Sequence, residues 1–128
     1  MSWNTQLLNV ADVKLPFLPN TSLETTVVAT RCEFANSWNG AAVFGSLTSA
    51  TFKNCVFHDN SSYGILVSNG STTHLHGEAT AIHSNRYGVV TSNSAKVLIH
   101  LPSKHNTSYN NGGEDRKTRL GGTITNVV

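Results

Sequence analysis

The sequence predicts an all-β fold in which short parallel strands wind into a solenoid. Three observations carry this prediction. Residue types recur every 23 to 25 positions along the middle of the 128-residue chain. Within each period, short β-branched or aromatic runs are bounded by Asn, Ser and Gly, which is typical of strands separated by turns. The composition, with 10 glycines and only 12% charged residues, favours a turn-rich β protein over a helical bundle.

The repeat is visible at three kinds of position. Glycine, asparagine and large apolar residues each return at nearly constant spacing, which gives three good copies and a weaker fourth. A period of this length is typical of a solenoid, in which each rung lies about 4.8 Å above the last, so that equivalent residues stack on their own kind. The recurring residues are Gly40, Gly64 and Gly88; Asn36, Asn60 and Asn85; Val28, Phe52, Leu75 and Leu98; and Phe34, Phe57 and Ile82.

The order of residues within a copy resembles the coil of the pectin-lyase-like superfamily. This resemblance extends over about residues 27–101 and implies a right-handed parallel β-helix (solenoid) of about 4 to 5 coils. It implies no single activity, because the repeat is shared by lyases, hydrolases, epimerases, phage tailspikes and non-enzymatic scaffolds. The second copy carries the resemblance in Phe52, Cys55, Phe57, Asn60, Gly64 and Ile65.

The chain is long enough for one domain, and its ends differ from the repeat. Residues 1–26 are predicted to form an N-terminal cap and a partial coil, and residues 27–101 the parallel β-helix coils. Residues 102–122 are polar and carry no period, so they are predicted to form a long loop. Residues 123–128 are β-branched and alternating, which predicts a closing strand.

Charge and hydropathy argue against several classes of partner. The formal net charge of +2 is too weak a field to indicate nucleic acid binding. No stretch approaches the roughly 18 apolar residues that cross a bilayer, so no membrane insertion is expected. The N-terminus has no basic segment followed by an apolar run and does not resemble a secretory signal. The sequence therefore predicts a soluble chain and leaves its compartment open.

The asparagines and cysteines of the repeat are predicted to be structural. Asn36, Asn60 and Asn85 would stack at one corner, where their amides bond to one another and to the turn backbone. Cys32 and Cys55 would lie on adjacent coils with parallel side chains, which makes the dihedral angle of a disulfide awkward. We therefore expect an asparagine ladder and two buried free thiols rather than ligand sites.

Several histidines are expected to face outward. His58 and His83 hold the same place before the corner asparagine, and His105 lies close to it in the fourth copy. A column of imidazoles has the chemistry for metal binding or general base catalysis, but this one lacks the added carboxylates of most metal centres. His74 and His76 also point outward, by strand alternation. All are predicted to be exposed strand residues, with no metal and no cofactor.

The leading prediction for function is a non-catalytic β-solenoid module, structural or protein-binding, that forms a subunit or fragment of a larger assembly. It would bind a protein partner or itself through the ends or edges of the solenoid. No catalytic residue is predicted, because Glu33, Asp59 and Glu78 do not form a pair of carboxylates by coil equivalence. The densest charge lies in a candidate interaction loop of Glu114, Asp115, Arg116, Lys117 and Arg119.

The alternative prediction is a carbohydrate-binding or polysaccharide-active β-helix domain of the lyase, hydrolase or epimerase type. A groove lined by aromatic rings and at least two converging acids would favour this glycan-directed alternative, and the absence of such a groove would favour a scaffold. The candidate glycan-binding residues are Trp38, His58, Tyr63, His83 and Tyr87.

Overall fold

The computed structural model describes residues 2–10, 13–14, 25–100 and 107–127, and the side chains of the last two ranges. Over these residues the chain forms only β-strands, turns and bends. In chain order the strands are β1 (Ser2–Val10), β2 (Val13–Lys14), β3 (Thr25–Ala35), β4 (Ala41–Phe44), β5 (Thr48–Lys53), β6 (Val56–His58), β7 (Tyr63–Ser68), β8 (Thr72–His76), β9 (Ala81–His83), β10 (Tyr87–Thr91), β11 (Lys96–His100), β12 (Ser108–Tyr109), β13 (Arg116–Thr118) and β14 (Thr123–Val127).

The strands form two parallel sheets that the chain visits in turn. Sheet A has the order β12-β9-β6-β3-β5-β8-β11-β14, with β1 also paired to β3, and sheet B has the order β13-β10-β7-β4-β2. The long β3 fills two positions of a coil, because residues 25–30 pair with β5 and residues 33–35 pair with β6. Each later coil has two short strands in sheet A and one in sheet B. The predicted parallel solenoid is confirmed.

The core is a stack of apolar side chains contributed by successive coils. The rings of Phe34 and Phe57 stack with centroids 4.7 Å apart, and Phe52 meets them edge-on at 5.4 and 5.0 Å. All three rings are fully buried, and burial of each contributes about 1.5–3 kcal/mol. Leu75 and Ile82 continue the stack on the next coil. The apolar period of the sequence is therefore the period of this core.

Both cysteines are buried free thiols, as the sequence predicts. The Cys55 Sγ lies 3.4 Å from the carbonyl oxygens of Ala29 and Lys53. Burial raises the pKa of the Cys55 thiol to about 11, and burial also raises the pKa of Cys32. Because the thiolate is the nucleophile and the metal ligand, a raised pKa makes both thiols less reactive.

The coil turns at left-handed backbone positions that repeat from rung to rung. At the corner leading from sheet A to sheet B, the φ angles lie between 52° and 58° for Asn36, Asp59, Ser84 and Asn110. Short polar side chains tolerate this conformation because they can hydrogen-bond to the local backbone, whereas bulky residues are strained there. This is why Asn, Asp and Ser recur at this corner.

An asparagine ladder links the coils one residue beyond this left-handed position. Asn60 donates from its backbone N–H and from Nδ2 to Oδ1 of Asn85, at 3.1 and 2.8 Å. Asn85 donates in the same way to Oδ1 of Asn111, at 3.0 Å in both cases. Each Nδ2 also reaches a backbone carbonyl one coil back, those of Phe34 and Phe57. Each amide therefore joins three consecutive coils.

Asn36 does not belong to this ladder, contrary to the sequence-based expectation. The pairing of Phe34 with Phe57 places Asn36 opposite Asp59, and puts Ser37 at the ladder position. Ser37 donates its backbone N–H to Oδ1 of Asn60 at 3.2 Å, while Asn36 is exposed at the left-handed turn. The first copy has one residue fewer between the phenylalanine and the asparagine than the second copy, so its asparagine falls one position early.

The segment 102–122 is not simply a loop, which corrects a second expectation. Its described part contains β12 and β13, which pair with β9 and β10 and form most of a fourth coil. Asn111 extends the asparagine ladder, and its N–H and Nδ2 donate to Oδ1 of Asp115 at 3.0 and 2.9 Å. The Asp115 carboxylate thus ends the ladder where a further asparagine would follow. The sequence predicts a weaker fourth copy but neither these two strands nor the ladder role of Asn111, because the spacing from Asn85 to Asn111 lengthens to 26 residues.

The recurring glycines are required by the ladder rather than by φ. A Cβ on Gly64 would lie 2.8 Å from Nδ2 of Asn85, 2.6 Å from Cγ2 of Ile82 and 2.9 Å from the carbonyl oxygen of Gly88. A Cβ on Gly40 would lie 2.9 Å from Nδ2 of Asn60. Each ladder amide therefore occupies the space that a side chain at the glycine position would need, so glycine and asparagine recur together.

We predict that Gly64→Ala destabilises the fold by about 1–3 kcal/mol, because the added methyl group meets backbone and a hydrogen-bonded amide that cannot move away. Gly112→Ala is the matched control, because the nearest atom to its Cβ is 3.8 Å away. Urea denaturation should lower the unfolding midpoint of the first variant only. Equal stability of the two variants would contradict the role given to the glycine column.

Candidate functional site

The outward side of β6, β9 and β12 carries a column of stacked rings, here called the ring column and made of His58, His83 and Tyr109. The centroid of His83 lies 5.3 Å from that of His58 and 5.4 Å from that of Tyr109, with nearly parallel planes. In-register parallel pairing of the three strands produces this stack. Tyr109 holds the position expected for His105, which lies outside the described residues.

His58 is held between two carboxylates. Its Nε2 lies 3.1 Å from Oε2 of Glu33, and its Nδ1 contacts Oδ2 of Asp59. Burial by itself would lower the pKa of His58, but the hydrogen bonds and negative charges of Asp59 and Glu33 outweigh burial and raise the pKa. Because both ring nitrogens are engaged, this imidazole is placed as a charged partner of two acids rather than as a general base or metal ligand.

Tyr63 and Tyr87 are cross-strand neighbours at the start of β7 and β10, and their rings are in contact but tilted. Their ring centroids are 5.7 Å apart, at 41° to each other. Lys117 Nζ lies 4.9 Å from the centre of the Tyr87 ring and Arg86 lies 5.5 Å from it, which are cation–π distances. The Tyr87 ring is thus already contacted by two of the chain's own cations, which reduces the ring surface available for a sugar.

Trp38 lies apart from the other candidate glycan-binding residues. It is 65% exposed at the edge of a shallow cleft of about 660 Å³. Asp59 is the acid of this cleft, and the rest of its lining is neutral and polar. The remaining lining residues are Asn36, Ser37, Asn60, Ser61 and Ser84. An exposed indole beside hydroxyl, amide and carboxylate groups has the composition of a sugar-binding surface.

A second cleft, of about 630 Å³, lies at the corner between the two sheet A strands of the coils. It brings together two acids, Glu33 and Glu78, and one cation, Arg31, but no aromatic ring. Glu33 is also the partner of His58. The combination of aromatic rings with two converging acids that would indicate polysaccharide chemistry is therefore divided between two clefts. The other lining residues are Cys32, Asn54, Val56 and Ala79.

The predicted interaction loop is built into the last coil. Asp115 ends the asparagine ladder, and Arg116 and Lys117 lie on β13. Lys117 Nζ is 3.9 Å from Oε1 of Glu114, and Arg116 Nη1 donates to Oδ1 of Asn126 at 3.2 Å. Four of the charged groups thus have intramolecular contacts, whereas Arg119 is exposed at the turn that follows β13.

A histidine cluster, defined as His74, His76 and His100, lies on the outward side of β8 and β11. Nδ1 of His74 is 2.8 Å from Nε2 of His100, and the rings of His76 and His100 are parallel with centroids 4.1 Å apart. One nitrogen from each ring lies within 4.8 Å of the other two. Burial, followed by the neighbouring His100, lowers the pKa of both His74 and His76, and for His76 the charge of Lys53 adds to this.

Sequence reasoning placed His74 and His76 outward but did not connect them with His100. The signal was present, because His76 and His100 are 24 residues apart, which is one period of the repeat. The sequence pattern aligned Leu75 with Leu98, which hid this signal. In the structure Leu75 pairs with Ile99, and Leu98 faces outward. The shift of one residue between Leu98 and Ile99 decides which side chains stack on the outer face.

Residues 20–121 match the family model described as right handed beta helix region. The chain therefore belongs to the right-handed β-helix family, as the resemblance of its coils implied. No curated protein and no solved structure matches the chain significantly. In the described part of the chain, no helix is long and apolar enough to cross a membrane.

We predict a pH-dependent contribution of His58 to stability. Its folded-state pKa is raised, so the stabilisation is fully present below the unfolded value of about 6.5 and is lost as pH rises through the folded value. His58→Gln should therefore cost more free energy of unfolding at about pH 5.5 than at about pH 8.5, by less than about 1 kcal/mol because the pair is partly exposed to water.

The matched control for this pH effect is His83→Gln, because His83 stacks on His58 but its Nδ1 faces Ser84 rather than an acid. This variant should keep the pH dependence of the unmodified chain, as measured by denaturant melts across the pH range. If His58→Gln lowers the free energy of unfolding equally at both pH values, its effect does not come from the ion pairs with Glu33 and Asp59.

Proposed function

We propose that this chain is a non-catalytic β-solenoid module that self-associates end to end, so that the last coil of one copy stacks on the first coil of the next. The observation that carries this proposal is the edge of β14. Among the described residues β14 pairs with β11 only, and its sequence, Thr123–Val127, holds no charge and no proline. An uncharged strand edge of this kind is a template for pairing with another chain.

The fourth coil, on which β14 stacks, has features that β14 lacks. β13 carries Arg116 and Lys117, and charged residues discourage edge pairing. The corner with the asparagine ladder is closed by the carboxylate of Asp115. Proteins usually protect strand edges with charged residues or with a capping side chain. On this coil the charged residues lie on β13 of sheet B, and the capping carboxylate lies at the ladder corner. Self-association is therefore directed to the sheet A edge.

The opposite end of sheet A offers a matching edge. β1 pairs in parallel with β3, and its other side has no partner among the described residues. Parallel pairing of β14 with β1 of a second copy would continue the strand direction of the sheet without a change of hand. Such a contact is heterologous, because two different surfaces meet, and it generates open chains of copies rather than a closed dimer.

The distribution of acids supports a non-catalytic role. Glycoside hydrolases flank the scissile bond with two carboxyl groups, one of which accepts or delivers a proton. In the described part of this chain, Glu33 and Asp59 are both engaged by His58, and Asp115 is engaged by the ladder. Glu78 shares its cleft with Arg31.

We predict that the chain shows a concentration-dependent rise in mass by light scattering, and that Thr125→Lys returns it to a monomer. Thr125 is exposed on β14, and a lysine there would place a charge on the pairing edge. Ser49→Lys is the matched control, because it adds the same charge to the same outward face on the central strand β5. It should associate like the unmodified chain.

A second variant blocks the edge without adding charge. The N–H of Thr123 donates to the carbonyl of Ala95, so by strand alternation the N–H of Asn126 points away from β11. Asn126→Pro removes that outward donor and keeps the backbone bonds to β11, and it also removes the side-chain oxygen to which Arg116 donates. Arg116→Gln, which loses the charge and keeps the edge donor, is its control and should associate like the unmodified chain. A chain that stays monomeric at every accessible concentration, or that associates equally well with both edge variants, would rule out pairing through β14.

Glycan binding is the second candidate, and the cleft beside Trp38 is the observation that favours it. The indole is largely exposed, and the polar lining supplies hydrogen-bond donors and acceptors on both sides of the left-handed corner residues Asn36 and Asp59. Sugars are held by this combination of an apolar ring face and fixed polar groups. Binding here needs neither self-association nor a catalytic pair.

We predict that Trp38→Ala weakens oligosaccharide binding by at least about tenfold, because the stacking surface is removed. Titration of neutral and acidic oligosaccharides, followed by NMR shifts, is the measurement. Leu120→Ala is the control, because Leu120 is 73% exposed and lies in another corner. Binding that survives in Trp38→Ala would place the glycan elsewhere, and absence of binding to the whole panel would dismiss this candidate.

A further inference from the structure

We propose that the histidine cluster, His74, His76 and His100, binds one late first-row divalent metal ion such as Zn²⁺, with a coordination position open to solvent. The site is formed within a single chain and is independent of self-association and of glycan binding. It rests on the placement of three ring nitrogens within 4.8 Å of one another. No other group of three or more metal-binding side chains occurs in the described residues.

The fold holds the backbone of all three ligands in place. His76 and His100 are cross-strand neighbours, because the pairing of Leu75 with Ile99 brings the next residue of each strand opposite the other. His74 lies two residues before His76, and therefore on the same face of β8. Leu75 and Ile99 are fully buried between and beside the ligands, which anchors both strands to the core. Binding would thus require side-chain rotation and no backbone change.

The nitrogens of His74 and His100 are already about as far apart as two ligands of one ion, whereas His76 lies within 4.8 Å and has to move closer. Zn–N bonds of about 2.0–2.1 Å in a tetrahedron place ligand nitrogens roughly 3.3 Å apart. Nδ1 of His74 and Nε2 of His100 already face each other at 2.8 Å, a distance at which one nitrogen donates a proton to the other. A metal ion between them would replace this hydrogen bond, and the ring that now donates would carry its proton on its other nitrogen, as in the alternative neutral tautomer. His76 would supply the third nitrogen from the ring stacked on His100.

The donor set selects the class of metal. Three imidazoles without a carboxylate suit Zn²⁺, Cu²⁺, Ni²⁺ and Co²⁺, whereas Mg²⁺ and Ca²⁺ require oxygen ligands. All three side chains are partly exposed, so an ion can reach them from solution. Three protein ligands leave the fourth tetrahedral position to water or to a small ligand. Lys53, the cross-strand neighbour of His76, favours an anion such as carboxylate at that position.

The test uses the chain without any histidine tag, freed of metal by chelation and titrated with ZnCl₂ by calorimetry near neutral pH. We expect one ion per chain in the monomer fraction, and with Co²⁺ the visible absorption bands of tetrahedral coordination. His76→Gln and His100→Gln should each weaken binding at least about tenfold, because each removes one of three ligands. His83→Gln is the control, an outward histidine of the same solenoid that lies outside the cluster.

Circular dichroism and melting curves of the metal-free variants establish that they remain folded. A loss of metal binding can then be assigned to the missing ligand and not to unfolding. Stoichiometric binding that disappears in both cluster variants and persists in His83→Gln supports the site. The proposal is overturned if the unmodified chain binds no ion stoichiometrically, or if both cluster variants bind as well as the unmodified chain. It is equally overturned if calorimetry gives one ion per two chains and light scattering shows that the metal-bound chain is a dimer.

Discussion

The corner at which the asparagine ladder meets the glycine column sets the geometry of the solenoid. Each ladder amide bonds to the coils on both sides, and it occupies the volume that a Cβ at the glycine of the preceding coil would fill. Neither position tolerates change alone: without glycine the amide cannot enter, and without the amide the buried backbone groups lose their partners. This pairing fixes how each coil sits on the last, so the other contacts between coils depend on it.

A fixed stacking register has consequences on the outside as well as in the core. Residues about one period apart are brought side by side, so that a residue type repeated in the sequence becomes a row on the surface. The ring column of His58, His83 and Tyr109 arises in this way, and so does the meeting of His76 with His100. With only 12% charged residues, the surface chemistry of this chain is carried largely by such rows of neutral and aromatic side chains.

The C-terminal end of the solenoid is closed at the ladder corner and in sheet B, but not along β14. Asp115 provides the oxygen that a further asparagine would have provided, and so satisfies the last N–H of the ladder without another coil. β13 adds cations to its edge. β14 itself contains no charged residue and no proline, and the side chain of its Asn126 accepts a hydrogen bond from Arg116. The proposed self-association follows from this asymmetry, because among the described residues β14 pairs only with β11 and β1 pairs only with β3, and both strands lie in sheet A.

The sequence by itself determined the architecture and most of its inner residues. The period, the phenylalanines, Asn60, Asn85 and the three glycines are read directly, because a residue that must fill the same space on every rung has to recur. Only the tertiary structure decided the register to within one residue. The early asparagine of the first copy, the lengthened spacing to Asn111 and the choice between Leu98 and Ile99 each depend on the number of residues in a corner. Since a shift of one residue moves a side chain to the other face of a strand, those corner lengths determined which histidines and carboxylates meet.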